Sequence, residues 1–230
     1  KPWVKFGVSP FGIYRNQRSD PKNGSATNGL QNYDDLYADV LLWVNKGWID
    51  YCVPQIYWEI GNKAADYKTL ITWWNRYAKN RPLFIGEDVE RTVKYPDPQN
   101  PNSHQLPAKH RLHQQMNHVD GTVLWYAKAV VDNVGNYGSV LRTSYWKTPA
   151  LPPLMPFLDD KSPKAAKKVK ARWSAEGYHL TWKRPSGRKW GDQVNRYVVY
   201  RFEKGERIDM NNAEKIVAVT YDTRYKLPYN

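Results

Sequence analysis

Short apolar runs separated by amphipathic stretches fill the first part of the chain, and a two-residue alternation takes over in the last third. Val4–Val8 predicts a strand, and residues 9–30, rich in Gly, Ser, Asn and charge, predict a long loop. Tyr33, Leu36, Tyr37, Val40, Leu41 and Val44 form one stripe at helical spacing, which predicts a single helix capped by Asn32 and ended by Gly47. A second strand starts at Ile49. A second helix is expected over 65–79, with Tyr67, Leu70, Ile71 and Trp74 on its buried face and Asn80 as its stop. Pro82–Gly86 is the third strand, and Glu87, Asp88, Glu90 and Arg91 cluster at its end. Tyr95–Pro101 predicts a rigid loop, and a weaker helix starts at Pro107 and includes Leu112 and Met116. Gly121–Tyr126 is the fourth strand, running into Ala127 and Lys128, and a short helix is expected near 136–144.

Strands separated by helices at a spacing of about 35–45 residues imply right-handed crossovers and a parallel sheet. Four such units cannot close a (β/α)8 barrel, which needs roughly 250 residues. The sheet is therefore open, or these units are half of a larger domain. Its edge strands, Val4–Val8 and Thr122–Trp125, are left unpaired, which predicts a homodimer that covers them.

Thr148–Pro156 carries four prolines and reads as a linker, because Pro fixes φ and removes a backbone donor. Beyond it Lys168–Trp173, Tyr178–Trp182, Arg196–Phe202 and Lys215–Val219 alternate with period two, with turns at Glu176-Gly177, Pro185–Gly187 and Lys204-Gly205. That predicts an antiparallel sandwich of about five strands. The expected domains are 1–157 (α/β) and 158–230 (all-β, apparently incomplete).

Charge adds one point to this picture. The formal charge is +13, and residues 1–158 hold 18 Lys and Arg against 13 Asp and Glu, while residues 159–230 hold 17 against 9. The excess thus concentrates on the smaller part. Its positive residues are scattered apart from Lys164–Lys170, so nucleic-acid binding is not expected, and an anionic envelope polymer or membrane surface fits the charge better. Mean hydropathy is −0.79 and no transmembrane helix is expected. The single cysteine, Cys52, lies in an apolar strand and reads as a packing residue.

The candidate chemistry gathers at strand ends. Ile49–Gly61 begins as a β-branched and aromatic run, then changes to Gln55, Tyr57, Trp58 and Glu59 before Gly61. Polar and aromatic groups at the C-terminal end of a parallel strand are how such sheets hold ligands. Rings that stack on C–H faces, beside amide and carboxylate groups, suit a sugar; the alternative is a strand end with two core aromatics. Gln55 and Tyr57 share a face, with Trp58 or Trp125 as a stacking platform. Glu87 and Asp88 point opposite ways, so one enters the site; Glu87 is favoured because Gly86 before it allows close backbone approach. The competing account makes both surface ion pairs. Glu59 is a weaker candidate acid. His104, His110, His113 and His118 cluster in sequence, but without a Cys or clear carboxylate partner they read as solvent-facing, so no metal and no cofactor are expected.

Phe6–Ile13 followed by Arg15, Gly29–Asp39, Gly47–Tyr51, Pro54–Trp58 and Pro149–Pro156, in that order, resemble the bacterial glycosyl hydrolase-like 10 family. The resemblance implies that the four strands are strands five to eight of a (β/α)8 TIM barrel. It implies a glycoside hydrolase acting on a bacterial envelope glycan such as peptidoglycan, or on another glycan, and a periplasmic, envelope-associated or secreted location. Its acidic pair, an Asp-Asp-Tyr type motif, would lie at the end of the fourth strand, ahead of these strands. Cleavage of a glycosidic bond ordinarily needs two carboxyl groups, so this chain supplies one face of such a site and is expected to be inactive alone. The rival expectation is a non-catalytic glycan-binding or scaffold protein. The tail resembles a fibronectin type III module, with Trp182 and Tyr197 at matching positions. Glu87 is the expected catalytic carboxylate, and Ser9, Phe11, Arg15, Gln55, Tyr57, Trp58, Trp125 and Lys128 are the expected substrate-binding residues, Arg15 as a clamp for an anionic substituent.

Overall fold

The computed structural model describes residues 4–187, 194 and 196–227, so Lys1–Trp3 lie outside the described residues. The chain divides into two units, residues 1–145 and 146–230. The division falls ahead of Thr148–Pro156, the proline-rich segment.

In chain order the first unit contains β1 (Gly7–Val8), α1 (Asn32–Leu36), α2 (Val40–Lys46), β2 (Tyr51–Cys52), α3 (Tyr67–Tyr77), β3 (Phe84–Asp88) and α4 (Val89–Lys94). It continues with β4 (Pro96–Asp97), β5 (Asn100–His104), α5 (Leu106–Gln114), β6 (Gly121–Trp125), α6 (Ala127–Val131) and α7 (Tyr137–Val140). A 3-10 turn precedes α7 and a π turn, Leu141–Tyr145, follows it. β1 pairs with β2 and β3 with β6, both parallel, and single parallel bridges from Cys52 to Leu83 and from Gln55 to Gly86 join the pairs. The four therefore run parallel in chain order, as several small sheets of a mixed α/β unit, and no closed barrel forms among the described residues.

Helices α2 and α3 cover one side of these strands. α3 has the expected stripe, with Tyr67, Leu70, Ile71 and Trp74 fully buried, and Asp66 caps it by accepting from Thr69 N at 2.8 Å. The indole of Trp74 donates to Gly12 O at 2.7 Å, which ties the helix to the loop after β1. Ile13, Val40, Val44, Ile49, Cys52, Leu83 and Ile85 complete this core, and burial pushes the Cys52 thiol up to about 12. A second cluster joins Val89, Leu106, Ala129, Tyr137 and Leu141.

Several elements differ from the sequence pattern. The single helix expected from Asn32 to Gly47 is broken into α1 and α2, because Tyr37 adopts a left-handed backbone (φ 55°) and Asp39 starts a new cap, accepting from Leu42 N at 2.9 Å. Tyr37 is 91% exposed, and the stripe that included it overstated the apolar face. Asn32 is no cap; it is buried, and its amide donates to Phe11 O at 2.7 Å and Ile13 O at 2.8 Å. The first strand shortens to Gly7–Val8, with Val4 and Phe6 exposed. The segment read as a rigid loop after Tyr95 contains the β4–β5 hairpin, and α4 appears where only a polar strand end was expected.

The second unit has β7 (Lys167–Ser174), β8 (Gly177–Lys183), β9 (Tyr197–Tyr200), β10 (Ile216–Thr220) and β11 (Arg224–Leu227), all antiparallel. They form a three-stranded sheet in the order β11-β8-β7 and a two-stranded sheet, β10-β9. The sheets meet through the Trp182 and Tyr197 rings, whose centroids are 5.2 Å apart, and through Tyr225 OH, which donates to Val217 O.

Tyr37 gives a direct stability test. A non-glycine residue in the left-handed region carries a penalty of about 1–2 kcal/mol, partly offset by the extra freedom of glycine in the unfolded chain. Tyr37→Gly should raise stability by about 0.5–1 kcal/mol, seen as a higher urea midpoint at unchanged slope. A lower midpoint would show that the exposed ring contributes more than the backbone costs.

Candidate functional site

The C-terminal ends of the parallel strands carry most of the predicted site. The amide of Gln55 donates to Ser9 O at 3.0 Å and to Ser9 Oγ at 3.2 Å, and Ser9 Oγ in turn donates to Val53 O. Phe11 pairs with Gln55 across a parallel bridge and is 47% exposed. Two residues beyond Gln55, the Tyr57 ring stacks on Trp125, the last residue of β6, at 6.3 Å between centroids and 22° between planes. Trp125 is 57% exposed, so one face of the pair is open to a ligand. Glycine at position 86 lets the backbone of the neighbouring segment approach: a Cβ would lie 3.1 Å from Pro54 O and 3.2 Å from Gln55 Cα, and would touch the Tyr57 ring at ordinary contact distance. Ser9, Phe11, Gln55, Tyr57 and Trp125 are thus brought together.

The carboxylate on this face is Asp88. It stands opposite Trp125 in the β3–β6 register, its charge with burial raises the Tyr57 pKa, burial being the larger cause, and its Oδ1 caps α4 by accepting from Arg91 N at 2.8 Å. Tyr126 follows Trp125, and its hydroxyl donates to Glu90 Oε1 at 3.1 Å. Asp88 carried a real signal in the sequence, the alternation at Gly86–Asp88, but nothing there said which parity faces the site. Glu90 stood out only as a member of the charged cluster after this strand, and Tyr126 had no signal.

The structure places the remaining predicted residues elsewhere. Trp58 packs against the core, with its ring over Gly12, where a Cβ would come within 2.7 Å. Arg15 has its guanidinium taken up inside the long loop. Nε and Nη2 donate to Asp34 at 2.8 and 2.9 Å and Nη1 to Asp20 at 3.3 Å, and the plane lies 4.7 Å from the Tyr33 centroid. Lys128 is exposed and paired with Asp132 one turn along α6. Glu59 accepts from Asn62 Nδ2 at 2.7 Å, and its other oxygen is 3.9 Å from Arg91 Nε.

Glu87, the expected catalytic carboxylate, faces the helices. It is 2% exposed, and its Oε1 accepts from Tyr67 OH at 2.6 Å and lies 2.9 Å from His113 Nε2. That imidazole nitrogen is also 2.7 Å from Tyr67 OH, and Nδ1 meets Thr122 Oγ1 at 3.4 Å. Lys109 completes the group: fully buried, it donates to Thr92 Oγ1 at 2.9 Å and its ammonium lies 4.3 Å from the Tyr67 ring centroid. His113 is therefore no solvent-facing histidine, because α5 turns it and Lys109 toward β3. Burial by itself raises the Glu87 pKa, but the His113 hydrogen bond and the charge of Lys109 outweigh it and hold the carboxyl at about 2. Burial lowers the Lys109 pKa. Among the described residues no three His, Cys, Asp or Glu side chains converge as a metal site.

A carboxylate whose folded pKa lies below its unfolded value stabilises the fold above the unfolded value, near 4.3, and loses that contribution as pH falls through the folded value. Stability of the protein should therefore fall as pH drops from about 4.5 toward 2. Glu87→Gln leaves Lys109 buried without its counter-charge, so it should lose about 3–5 kcal/mol at pH 7 and flatten the acid limb. Denaturant titrations across pH test both. A variant that melts like the parent but no longer handles a glycan would return Glu87 to the site.

Comparison with known proteins bears on the family of the first unit. Residues 1–105 match the family model of glycosyl hydrolase-like 10. The chain is 39% identical over 206 residues to glycosyl hydrolase YngK of Bacillus subtilis (strain 168), a match covering 88% of this chain and 40% of that protein. It is 48% identical over 88 residues to glycosyl hydrolase DigH of Escherichia coli (strain K12), covering 37% of this chain and 20% of that protein. The chain thus spans well under half the length of these relatives. Through the segment that contains β1, β2, β3 and the residues of the aromatic face before β6, it belongs to the glycosyl hydrolase-like 10 family.

Proposed function

We propose that this chain supplies the substrate-facing C-terminal half of a glycoside hydrolase barrel, with β1, β2, β3 and β6 as strands five to eight. The observation that carries the reading is the exposed Tyr57–Trp125 stack beside Asp88 and Gln55, at the C-terminal ends of four parallel strands. A sugar ring lies on the open face of Trp125, where its C–H bonds meet the π surface, and its hydroxyls are met by Gln55 and Asp88. Hydrolysis by paired carboxyl groups takes one as proton donor and one as base or nucleophile. Asp88 is the carboxyl that this half presents, and its partner comes from the strands that complete the barrel. Those strands also cover the edges at Gly7–Val8 and Gly121–Trp125, which removes the reason to expect a homodimer. The glycan is one of the bacterial envelope, peptidoglycan included, and the protein works in the periplasm, at the envelope or outside the cell. The names of the relatives support the hydrolase class of this reading and go no further.

A binding role without cleavage is favoured by one observation: Asp88 is already engaged as the cap of α4. The two readings separate experimentally in the full-length protein. Trp125→Ala should weaken binding of a soluble glycan oligomer by about 1–3 kcal/mol with little change in melting temperature, since the ring is more than half exposed. Asp88→Asn keeps a cap acceptor, so it should abolish cleavage while binding persists if Asp88 acts in the reaction. Unaltered binding in Trp125→Ala would remove the aromatic platform, and with it the glycan reading of this face.

A further inference from the structure

The sheet β11-β8-β7 of the second unit has a face that no part of the glycan reading uses. Its three strands contain seven Lys and Arg and no Asp or Glu. In the register, Arg172 stands opposite His179, and His179 stands opposite Lys226; Lys170 and Arg224 flank Thr181 from either side. Partners in an antiparallel pair share a face, and the alternation puts Lys183 with Thr181 and His179.

Lys167 lies three residues from Lys170, and in a regular strand it would point the other way. A bulge prevents that: Lys168 has φ 52°, and it and Val169 together stand opposite Trp182, so Lys167 pairs with Lys183. Lys167, Lys170, Arg172, Lys183, Arg224 and Lys226 are thus rephased onto one exposed face. The opposite face carries Leu180, Trp182 and Tyr225, and Trp182 and Tyr225 meet the β10-β9 sheet. One ion pair offsets the charge, between Lys226 and Glu176 in the β7–β8 turn.

Like charges directly opposite one another destabilise a sheet. Here Lys167 faces Lys183 with no acid paired to either among the described residues, a cost to the fold that a bound polyanion would reverse. A depression of about 540 Å³ lies along β8 and β11, where His179, Thr181, Arg224 and Lys226 line it together with Leu180, Tyr225, Thr220 and Asp222. Cations two residues apart on a strand stand about 7 Å apart and those on adjacent strands about 5 Å, a grid suited to a chain of closely spaced anions.

We propose that this face binds a linear phosphodiester polymer whose repeat carries no aromatic base, of the poly(glycerol phosphate) kind. Among the described residues the face holds no exposed aromatic side chain on which bases would stack, and a flat sheet face does not enter a duplex groove. Nor do those residues present an apolar side chain there for insertion into a bilayer. A flexible polyanion has neither requirement. This inference concerns the second unit alone and stands apart from the glycan reading of the first.

The test is titration of the full chain with a poly(glycerol phosphate) oligomer at several salt concentrations. The parent should bind with an affinity that falls steeply with salt. The triple variant Lys170→Gln, Arg172→Gln, Arg224→Gln should bind at least about tenfold more weakly and show a salt slope lower by about 3. Its melting temperature should be no lower than the parent's, because neighbouring like charges are removed. The single Arg224→Gln, on an edge strand, gives the same direction of change should the triple variant fold poorly. Lys204→Gln with Arg207→Gln, exposed and outside this sheet, should bind like the parent. The proposal is overturned if the parent does not bind at low salt, if the triple variant binds as tightly as the parent, or if the control pair weakens binding equally. Tighter binding of duplex DNA or of anionic lipid vesicles than of the oligomer would overturn it in favour of those partners.

Discussion

Side chains on a strand alternate, and at the end of β3 that alternation divides two adjacent carboxylates between two environments. Gly86 and Asp88 face the Tyr57–Trp125 pair; Glu87 between them faces α3 and α5. The strand can hold this position because Gly86 lets the Pro54–Gln55 backbone approach closely, and the bridge from Gln55 to Gly86 fixes the register. A shift of one residue would exchange the two carboxylates and leave a charge against apolar helix faces without a partner. The aromatic platform, the capping of α4 and the buried network under the strand all depend on this one register.

The network around Glu87 shows how a buried charge is retained. Desolvation opposes an ionised carboxylate inside a protein, and Glu87 keeps its charge because Tyr67 and His113 hydrogen-bond to it and the Lys109 ammonium is buried nearby. Each partner comes from a different helix or a different turn of one, so the group locks α3 and α5 to the sheet in a fixed orientation. Its chemistry is that of a tethering ion cluster placed beneath the strand end, while Asp88 presents a carboxylate to the outside.

Much of the element order was legible because it rests on local patterns: the α3 stripe, the Gly47 helix end, the β6 run and the two-residue period of the second unit all appear where expected. The break in the first helix arose where a distant contact joined a local cap. The stripe through Tyr37 fitted a helix, yet the chain preferred the cap at Asp39, whose carboxylate also accepts from Tyr14 OH at 2.8 Å. That second contact comes from 25 residues away, and no window of helical periodicity contains it.

The sequence by itself determined which residue types sit at the strand ends, and from their motifs the family. It could not determine parity at Gly86–Asp88, because alternation says only that neighbours differ, and the choice is made by which side the helices cover. It could not show that Arg15 is consumed by Asp34 and Asp20, that Trp58 is needed over Gly12, or that His113 and Lys109 turn inward. Nor could it align the cations of the second unit, since one bulge residue decides whether Lys167 joins or opposes the others. Most of these depend on contacts between segments far apart in the chain, and only the closed packing of strands and helices selects among the orientations that local chemistry allows.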